Sequence, residues 1–287
     1  MKIAIYGNRR QKPYLDLLTR LLTELRAHGA TLAVHAKLYD YLTGELGKAP
    51  AGCARAEGRM DPATELVLSI GGDGTFLNTA RWVGELQTPI LGVNTGHLGY
   101  LAACSINESI AHVPAIVAGR YSVEDRSMLC VRTGACHIPW PYALNEVAIL
   151  KKDTSSMLRI ATTVNGLELA EYRADGLIIS TPTGSSGYNL SVGGPILQPS
   201  TPALVIAPIA PHSLSMRPVV LDDRSTIATV TDTRADSYLL ALDGHSTIMP
   251  VGSAVTIHRA PFVTRVVHID PKHSFVDTLR SKLHWGA

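Results

Sequence analysis

A two-domain chain is predicted, with an α/β N-terminal domain on a mostly parallel sheet followed by a mainly β C-terminal domain. Three observations predict it. The 287 residues exceed the usual single-core domain. Up to about Gly119, short β-rich runs alternate with helical periodicity. From about Arg120 the pattern changes to β-branched, alternating stretches. The expected domains are therefore 1–119 and 120–287, with a C-terminal segment that closes back on the first.

Each element follows from local pattern. Lys2–Tyr6 reads as a strand, and Leu15, Leu18, Leu22 and Leu25 recur at helical spacing after it. Thr31–His35, Glu65–Ile70 and Pro89–Val93 are further strands, with a helix at Thr75–Glu85. The stretch Gly44–Thr64, rich in Gly, Ala and Pro without periodicity, reads as a mobile loop. Ser105 and Glu108 have capping-box spacing, and Pro114 is expected to kink or shorten the helix they start. In the second domain Asn165-Gly166 is placed as a hairpin turn between Leu158–Val164 and Leu167–Tyr172. Leu144–Leu150, Gly176–Ile179, Tyr238–Leu242, Ala254–His258 and Val263–Ile269 extend the β reading, and Ser274–Leu283 forms a short closing helix.

Composition narrows the function. With 46% hydrophobic and 17% charged residues and a formal charge of +2, no broad basic surface for nucleic acid is implied, although a local cleft for phosphates stays open. The N-terminus lacks a signal-peptide pattern and no long apolar run suggests a membrane span, so the expected location is cytoplasmic. Four cysteines without CxxC pairing read as reduced thiols, and the scattered histidines form no zinc pattern.

Three clusters carry chemistry. Leu66–Ile70 runs into Gly71-Gly72-Asp73-Gly74-Thr75, a glycine turn before a helix. Glycines let backbone amides approach an anion, and the helix N-terminus faces the same place. Two readings of Asp73 fit: a carboxylate serving phosphoryl-transfer chemistry, or a helix cap in a tight turn. The second cluster, Ser180–Ser191, is dense in hydroxyls and glycines after a strand and could wrap a nucleotide, with Arg173 and Asp175 just upstream; a plain surface loop is its alternative. The third is Asn145-Glu146 in an apolar run, where a buried Glu146 needs a partner such as a ligand hydroxyl, while an exposed strand end would relieve it equally.

Taken in order, these clusters resemble the NAD kinase family, whose signatures are a Gly-Gly-Asp-Gly loop, an Asn-Glu/Asp pair and a long Gly/Ser/Thr-rich segment. Asn94–Tyr100 is similar to that family's second glycine-rich segment, and the resemblance spans Ile3 to Trp285. It implies transfer of a phosphoryl group from ATP or polyphosphate to the 2′-hydroxyl of the adenosine ribose of NAD. Asp73 would be the base, and Gly71, Gly72, Gly74 and Thr75 the phosphate-donor loop. Asp73, Gly74, Tyr100, Asn145, Glu146, Arg173, Asp175, Ser186, Gly187, Tyr188, Asn189, Leu190, Ser191 and His245 would hold NAD in a cleft between the domains. Tyr100 stands where Phe is common in the family, Ser156 where a basic residue is common, and His245 where many relatives carry another polar residue. A divalent cation, Mg²⁺ by default, would come with ATP, without dedicated protein ligands. A homodimer or homotetramer is implied, with no nucleic-acid or membrane partner. The rival functions are a lipid kinase sharing the Gly-Gly-Asp-Gly chemistry and a non-catalytic dinucleotide sensor. For Asp73→Asn, lost turnover with nearly unchanged folding is expected.

Overall fold

The computed structural model describes residues 1–9, 11–96, 99–102, 104–152, 157–269 and 275–283. In chain order the elements are β1 (Lys2–Gly7), α1 (Leu15–Ala27), β2 (Thr31–His35), α2 (Ala36–Leu46), β3 (Cys53–Ala56), β4 (Leu66–Ile70), α3 (Asp73–Val83), β5 (Ile90–Asn94), β6 (Cys104–Ser105), α4 (Ile106–Ala111), α5 (Val113–Val117) and β7 (Ser122–Thr133). They continue with β8 (Tyr142–Ala143), β9 (Glu146–Leu150), β10 (Leu158–Val164), β11 (Leu167–Ala174), β12 (Gly176–Ser180), α6 (Tyr188–Ser191), β13 (Ala203–Ile209), β14 (Val219–Asp222), β15 (Ile227–Asp232), β16 (Ser237–Leu242), β17 (His245–Pro250), β18 (Ala254–His268) and α7 (Phe275–Leu283).

Packing divides the chain into two units, Met1–Asp125 with the segment beginning at Thr264, and Arg126–Val263. The first unit is a parallel sheet in the order β18-β5-β4-β1-β2-β3. Its strands β4 and β5 are buried throughout, so they read as mostly apolar runs (Leu66–Ile70, with Ser69 buried and bonded to Thr79, and Ile90–Val93) rather than alternations. Leu18, Leu21, Leu22 and Leu25 of α1 form one stripe against Ile3, Ile5, Leu32 and Leu68. The end of β18 pairs with β5, and Val267 joins this same core, so the C-terminal segment does pack with the first unit.

The second unit is antiparallel. One sheet runs β11-β10-β15-β18 and the other β14-β13-β12-β9-β16-β17. Inward side chains of both, among them Val147, Ile149, Ile160, Leu177, Ile179, Leu240 and Ile257, make one core. The outer face of the second sheet carries small residues, Ala148, Ala207 and Ala241, and is covered by Val192 and Leu197 from the Gly/Ser-rich segment. That segment therefore lies on a sheet face as part of the packed structure.

Three expectations need correction. Gly44–Thr64 is not wholly a loop: α2 runs through Leu46 and ends on Gly47 at φ 65°, and Cys53–Ala56 forms a parallel strand on β2. Its sequence, Cys-Ala-Arg-Ala, has no β-branched residue, and backbone pairing with β2 makes it a strand. Ala254–His258 and Val263–Ile269 are one continuous strand, because exposed Pro261 is accommodated without a break. The helix expected after Ser105 is two short helices, with His112 between them and Pro114 in the first turn of the second. The capping box at Ser105 and Glu108 is present in both directions, and Asn165 and Gly166 turn the β10–β11 hairpin with φ of 51° and 81°.

Candidate active site

In the first unit the site begins where β4 ends. Gly71 has φ 150°, and a Cβ there would stand 2.4 Å from Thr75 Oγ1, so only glycine lets the chain turn this tightly into α3. Gly72 is the N-cap of α3 and makes no side-chain cap bond, which places Asp73 inside the first turn. The carboxylate does not serve its own helix. Its Oδ2 accepts the backbone N–H of Tyr100 at 2.9 Å, and its Oδ1 accepts those of Leu101 at 3.0 Å and Ala102 at 3.2 Å. Gly99 completes the clamp, because a Cβ there would fall 1.9 Å from Asp73 Oδ1. The capping reading of Asp73 is thus overturned, since Gly72 holds the N-cap and the half-buried carboxylate reaches across to the loop of residues 99–102.

The Tyr100 hydroxyl is buried without a hydrogen-bond partner among the described residues, and burial with the Asp73 charge raises its pKa. On the other side of the turn, Gly72, Gly74, Thr75 and Asn78 border an open cavity of about 760 Å³. Gly72 and Gly74 are exposed, leaving their backbone accessible to an anion.

In the second unit Asn145 and Glu146 stand at the start of β9, in register with the end of β12, where Glu146 faces Ser180. Thr181 ties the next loop down: its N–H donates to Asn145 O at 2.9 Å and its hydroxyl to Leu144 O at 2.6 Å. The segment then passes the pair closely enough that a Cβ on Gly187 would lie 3.8 Å from Glu146 Oε2 and 3.9 Å from Asn145 Nδ2. Asn145 Oδ1, Glu146 Oε2 and Thr183 Oγ1 are buried without hydrogen-bond partners among the described residues. Buried polar atoms are normally paired, so this cluster is suited to a hydrogen-bonding partner. Burial lifts the Glu146 carboxyl to about 7, with the Asp243 charge adding to it.

Asp243 is the residue the sequence reading passed over. Its carboxylate accepts the backbone N–H groups of Leu144 (2.7 Å), Asn145 (2.8 Å) and Glu146 (3.2 Å), and its own N–H returns to Glu146 O. Burial raises its pKa, while those three N–H donors and the His245 charge act the other way. The signal was Asp243-Gly244 between two alternating strands, a hairpin turn with φ of 46° and 81° that turns an acidic side chain toward β9. His245 follows it, exposed at the start of β17.

The other named residues divide. Gly187 lies beside Asn145-Glu146, Ser186 is half-buried with its hydroxyl on Thr183 O at 3.5 Å, and Tyr188 is exposed on α6. Asn189 is buried and donates to Ser185 O and Pro195 O, both at 3.0 Å, so its amide group holds the loop. Leu190 is half-buried, and Ser191 is exposed with its hydroxyl on Tyr188 O at 2.8 Å. Asp175 pairs with Lys151 at 2.7 Å in the link between β11 and β12. Arg173 is exposed on the edge strand β11, paired with Glu171 at 3.1 Å and opposite Arg159, in the other sheet from Asn145-Glu146. Ser156 lies outside the described residues. No group of three or more His, Cys, Asp or Glu that could hold a metal occurs among the described residues, and no described helix is long and apolar enough to cross a membrane.

Two family models match, the ATP-NAD kinase N-terminal domain over residues 3–121 and the ATP-NAD kinase C-terminal domain over residues 144–269. An NAD kinase of Bacteroides fragilis is 44% identical over 289 residues, covering 100% of this chain and 99% of the relative. One from Porphyromonas gingivalis is 41% identical, with 100% and 98% covered. Among solved structures, yeast NADH kinase complexed with NADH superposes with a TM-score of 0.87 at 21% identity, covering 100% of this chain and 88% of that one. An Archaeoglobus fulgidus NAD kinase in complex with ATP gives 0.74 at 23% identity, covering 96% of each. At those identities the structural likeness speaks to fold, and the sequence relatives and family models speak to membership. The chain belongs to the NAD kinase family and is a kinase.

Proposed function

We propose that this protein transfers the γ-phosphoryl group of ATP to the 2′-hydroxyl of the adenosine ribose of NAD, with Asp73 taking the hydroxyl proton. The observation that carries the reading is the Asp73 carboxylate, held by three backbone N–H groups beside an exposed glycine turn. An ionised carboxylate offers about four acceptor positions, so three amide contacts fix its direction and leave one for a substrate hydroxyl. A proton-accepting group must be aimed before its basicity matters. The Tyr100–Ala102 backbone does the aiming.

The donor's phosphates are assigned to the amides of Gly71–Gly74 and the electropositive start of α3. The described residues of the adjoining cavity wall include Arg9 and Lys37 and no carboxylate, which suits phosphates that bring their own ion. A divalent cation, taken as Mg²⁺, neutralises charge on the transferring phosphoryl group when bound. Asn145 and Glu146 are assigned to adenosine, and their unpartnered oxygens support that reading. Gly74, Asp175, Ser186–Ser191, Tyr100, Arg173 and His245 are proposed as further NAD contacts. Arg173 is the weakest member, since Glu171 engages it, whereas Asn189 keeps its Oδ1 unpartnered among the described residues. Cytoplasmic residence is carried forward from the sequence pattern, and a homodimer or homotetramer from the family resemblance.

The test is incubation of the purified protein with Mg-ATP and either NAD or diacylglycerol, followed by identification of the product. NADP with no phosphorylated lipid is expected. Phosphorylated lipid would replace the reading with a lipid kinase, and NAD binding without NADP would replace it with a sensor.

A further inference from the structure

Arg9, in the loop after β1, and Lys37, in the first turn of α2, share the cavity of about 760 Å³ with Gly72, Gly74, Thr75 and Asn78. Its place in the sheet gives it meaning. From β1 the chain moves to β2 and β3 on one side, then to β4 and β5 on the other, so strand order reverses between β1 and β4. The cavity opens there, beyond the carboxyl ends of β1, β2 and β4. Open parallel sheets take their ligands at such a reversal.

Two cations approach this point from different elements, and both side chains are exposed. Asp40, whose charge interacts with Arg9, is itself held by Arg55 at 2.7 Å. The loop carrying Arg9 is anchored next to the glycine turn. Gln11, fully buried, donates to Asn8 Oδ1 at 2.9 Å and to Ile70 O at 3.3 Å, and Asn8 donates to Thr75 Oγ1 at 3.0 Å. Arg9 thus leaves a fixed turn one residue beyond a side chain bonded to α3. The volume is within the range of small-ligand sites, roughly 300–1,000 Å³, and its charge is suited to a linear polyanion.

We propose that Arg9 and Lys37 grip the phosphates of the donor that are not transferred, so that this cavity recognises a linear triphosphate chain in preference to the nucleoside attached to it. The inference rests on the proposed donor role of Gly71–Gly74 and adds the residues that set donor affinity. Arg9 can meet two phosphate oxygens at once, whereas Lys37 acts as a compact point charge. Neither contacts the reacting hydroxyl, so both act on binding.

The experiment uses the full chain, with Arg9→Ala, Lys37→Ala and the double variant, each checked for an unchanged melting temperature. The KM for Mg-ATP is expected to rise about tenfold for each single variant and further in the double, with kcat and the KM for NAD little changed. Inorganic tripolyphosphate should compete with ATP, and its inhibition constant should rise in parallel; Lys37→Arg should retain most of the affinity. An unchanged KM for ATP in the folded double variant overturns the proposal, as does a loss that affects ATP while leaving tripolyphosphate inhibition intact. If the wild type forms no NADP, the proposed function fails separately, and calorimetric titration with Mg-ATP and tripolyphosphate still decides this inference. Weaker binding of both ligands to the variants supports it, and equal binding overturns it.

Discussion

Asp243 accepts the backbone N–H of Glu146 at 3.2 Å, and its negative charge adds to the burial that lifts the Glu146 carboxyl to about 7. One carboxylate thus holds the backbone of a second while making that second one harder to ionise. The ordinary Glu value is 4.5, so between pH 4.5 and about 7 the folded protein keeps a proton there that the unfolded chain has released. Stability from this site is therefore lost as pH rises through that window. Glu146→Gln should melt several degrees above wild type at pH 8, with the gap closing toward pH 5. It should also bind NAD more weakly, if the ionised carboxylate accepts a ribose hydroxyl. Melting curves from pH 5 to 8 check the first effect; no pH-dependent gap would contradict the burial of Glu146 as a source of strain.

Asp73→Asn is expected to cut turnover by roughly 10²–10⁴-fold with a much smaller change in NAD affinity. The structure revises the expectation of nearly unchanged folding. An amide NH₂ cannot accept, so at least one of the Tyr100, Leu101 and Ala102 N–H groups loses its partner, at a cost of about 1–3 kcal/mol. The variant should lose stability as well as turnover. Denaturant unfolding and NADP formation on one preparation check both, and wild-type turnover by the folded fraction would remove the base assignment.

Much of this is legible in the sequence. The strands β2, β4 and β5, the α1 stripe, the Ser105 capping box and the Asn165-Gly166 turn each rest on local spacing or turn chemistry, which a sequence displays directly. Asp73 was found because glycines flank it. What it does was not readable, because its partners are backbone amides about 28 positions away, and backbone amides have no letter in the sequence. Asp243 was missed for the same reason, its three donors lying some hundred residues upstream. Asn189 braces its loop by donating to the Ser185 and Pro195 carbonyls, while its Oδ1 is buried without a hydrogen-bond partner among the described residues, and neither fact has a local signal in the sequence. The strand β3 exists through its partner β2 and leaves almost no trace in its own four residues.

Ser105→Ala should cost about 1 kcal/mol. Ser105 Oγ accepts Glu108 N–H at 3.2 Å and Glu108 Oε2 accepts Ser105 N–H at 2.7 Å, so both halves of the capping box are made. The helix it starts has six residues and depends on its cap more than a long helix does. Ser105→Asp should recover most of the loss, because Asp is an equally good cap acceptor. Urea midpoints of the three proteins check this, and equal midpoints for wild type and Ser105→Ala would mean that packing of Ile106 alone holds the turn.

Asp243→Asn separates holding from charging. The carboxylate collects three N–H groups on two oxygens, and an amide keeps one accepting oxygen while turning its NH₂ toward donors. Stability should fall by about 1–3 kcal/mol and the backbone of Leu144–Glu146 should loosen. Removing the Asp243 charge also removes one of the two causes that raise the Glu146 pKa, so the Glu146 titration should move below about 7. A merely structural Asp243 would weaken NAD binding equally at every pH. A charged neighbour predicts instead that the pH at which NAD affinity changes with Glu146 ionisation shifts downward in the variant. Titrating NAD binding from pH 5.5 to 8.5 on folded wild type and Asp243→Asn reads that shift, and coincident profiles would reduce Asp243 to a backbone clamp.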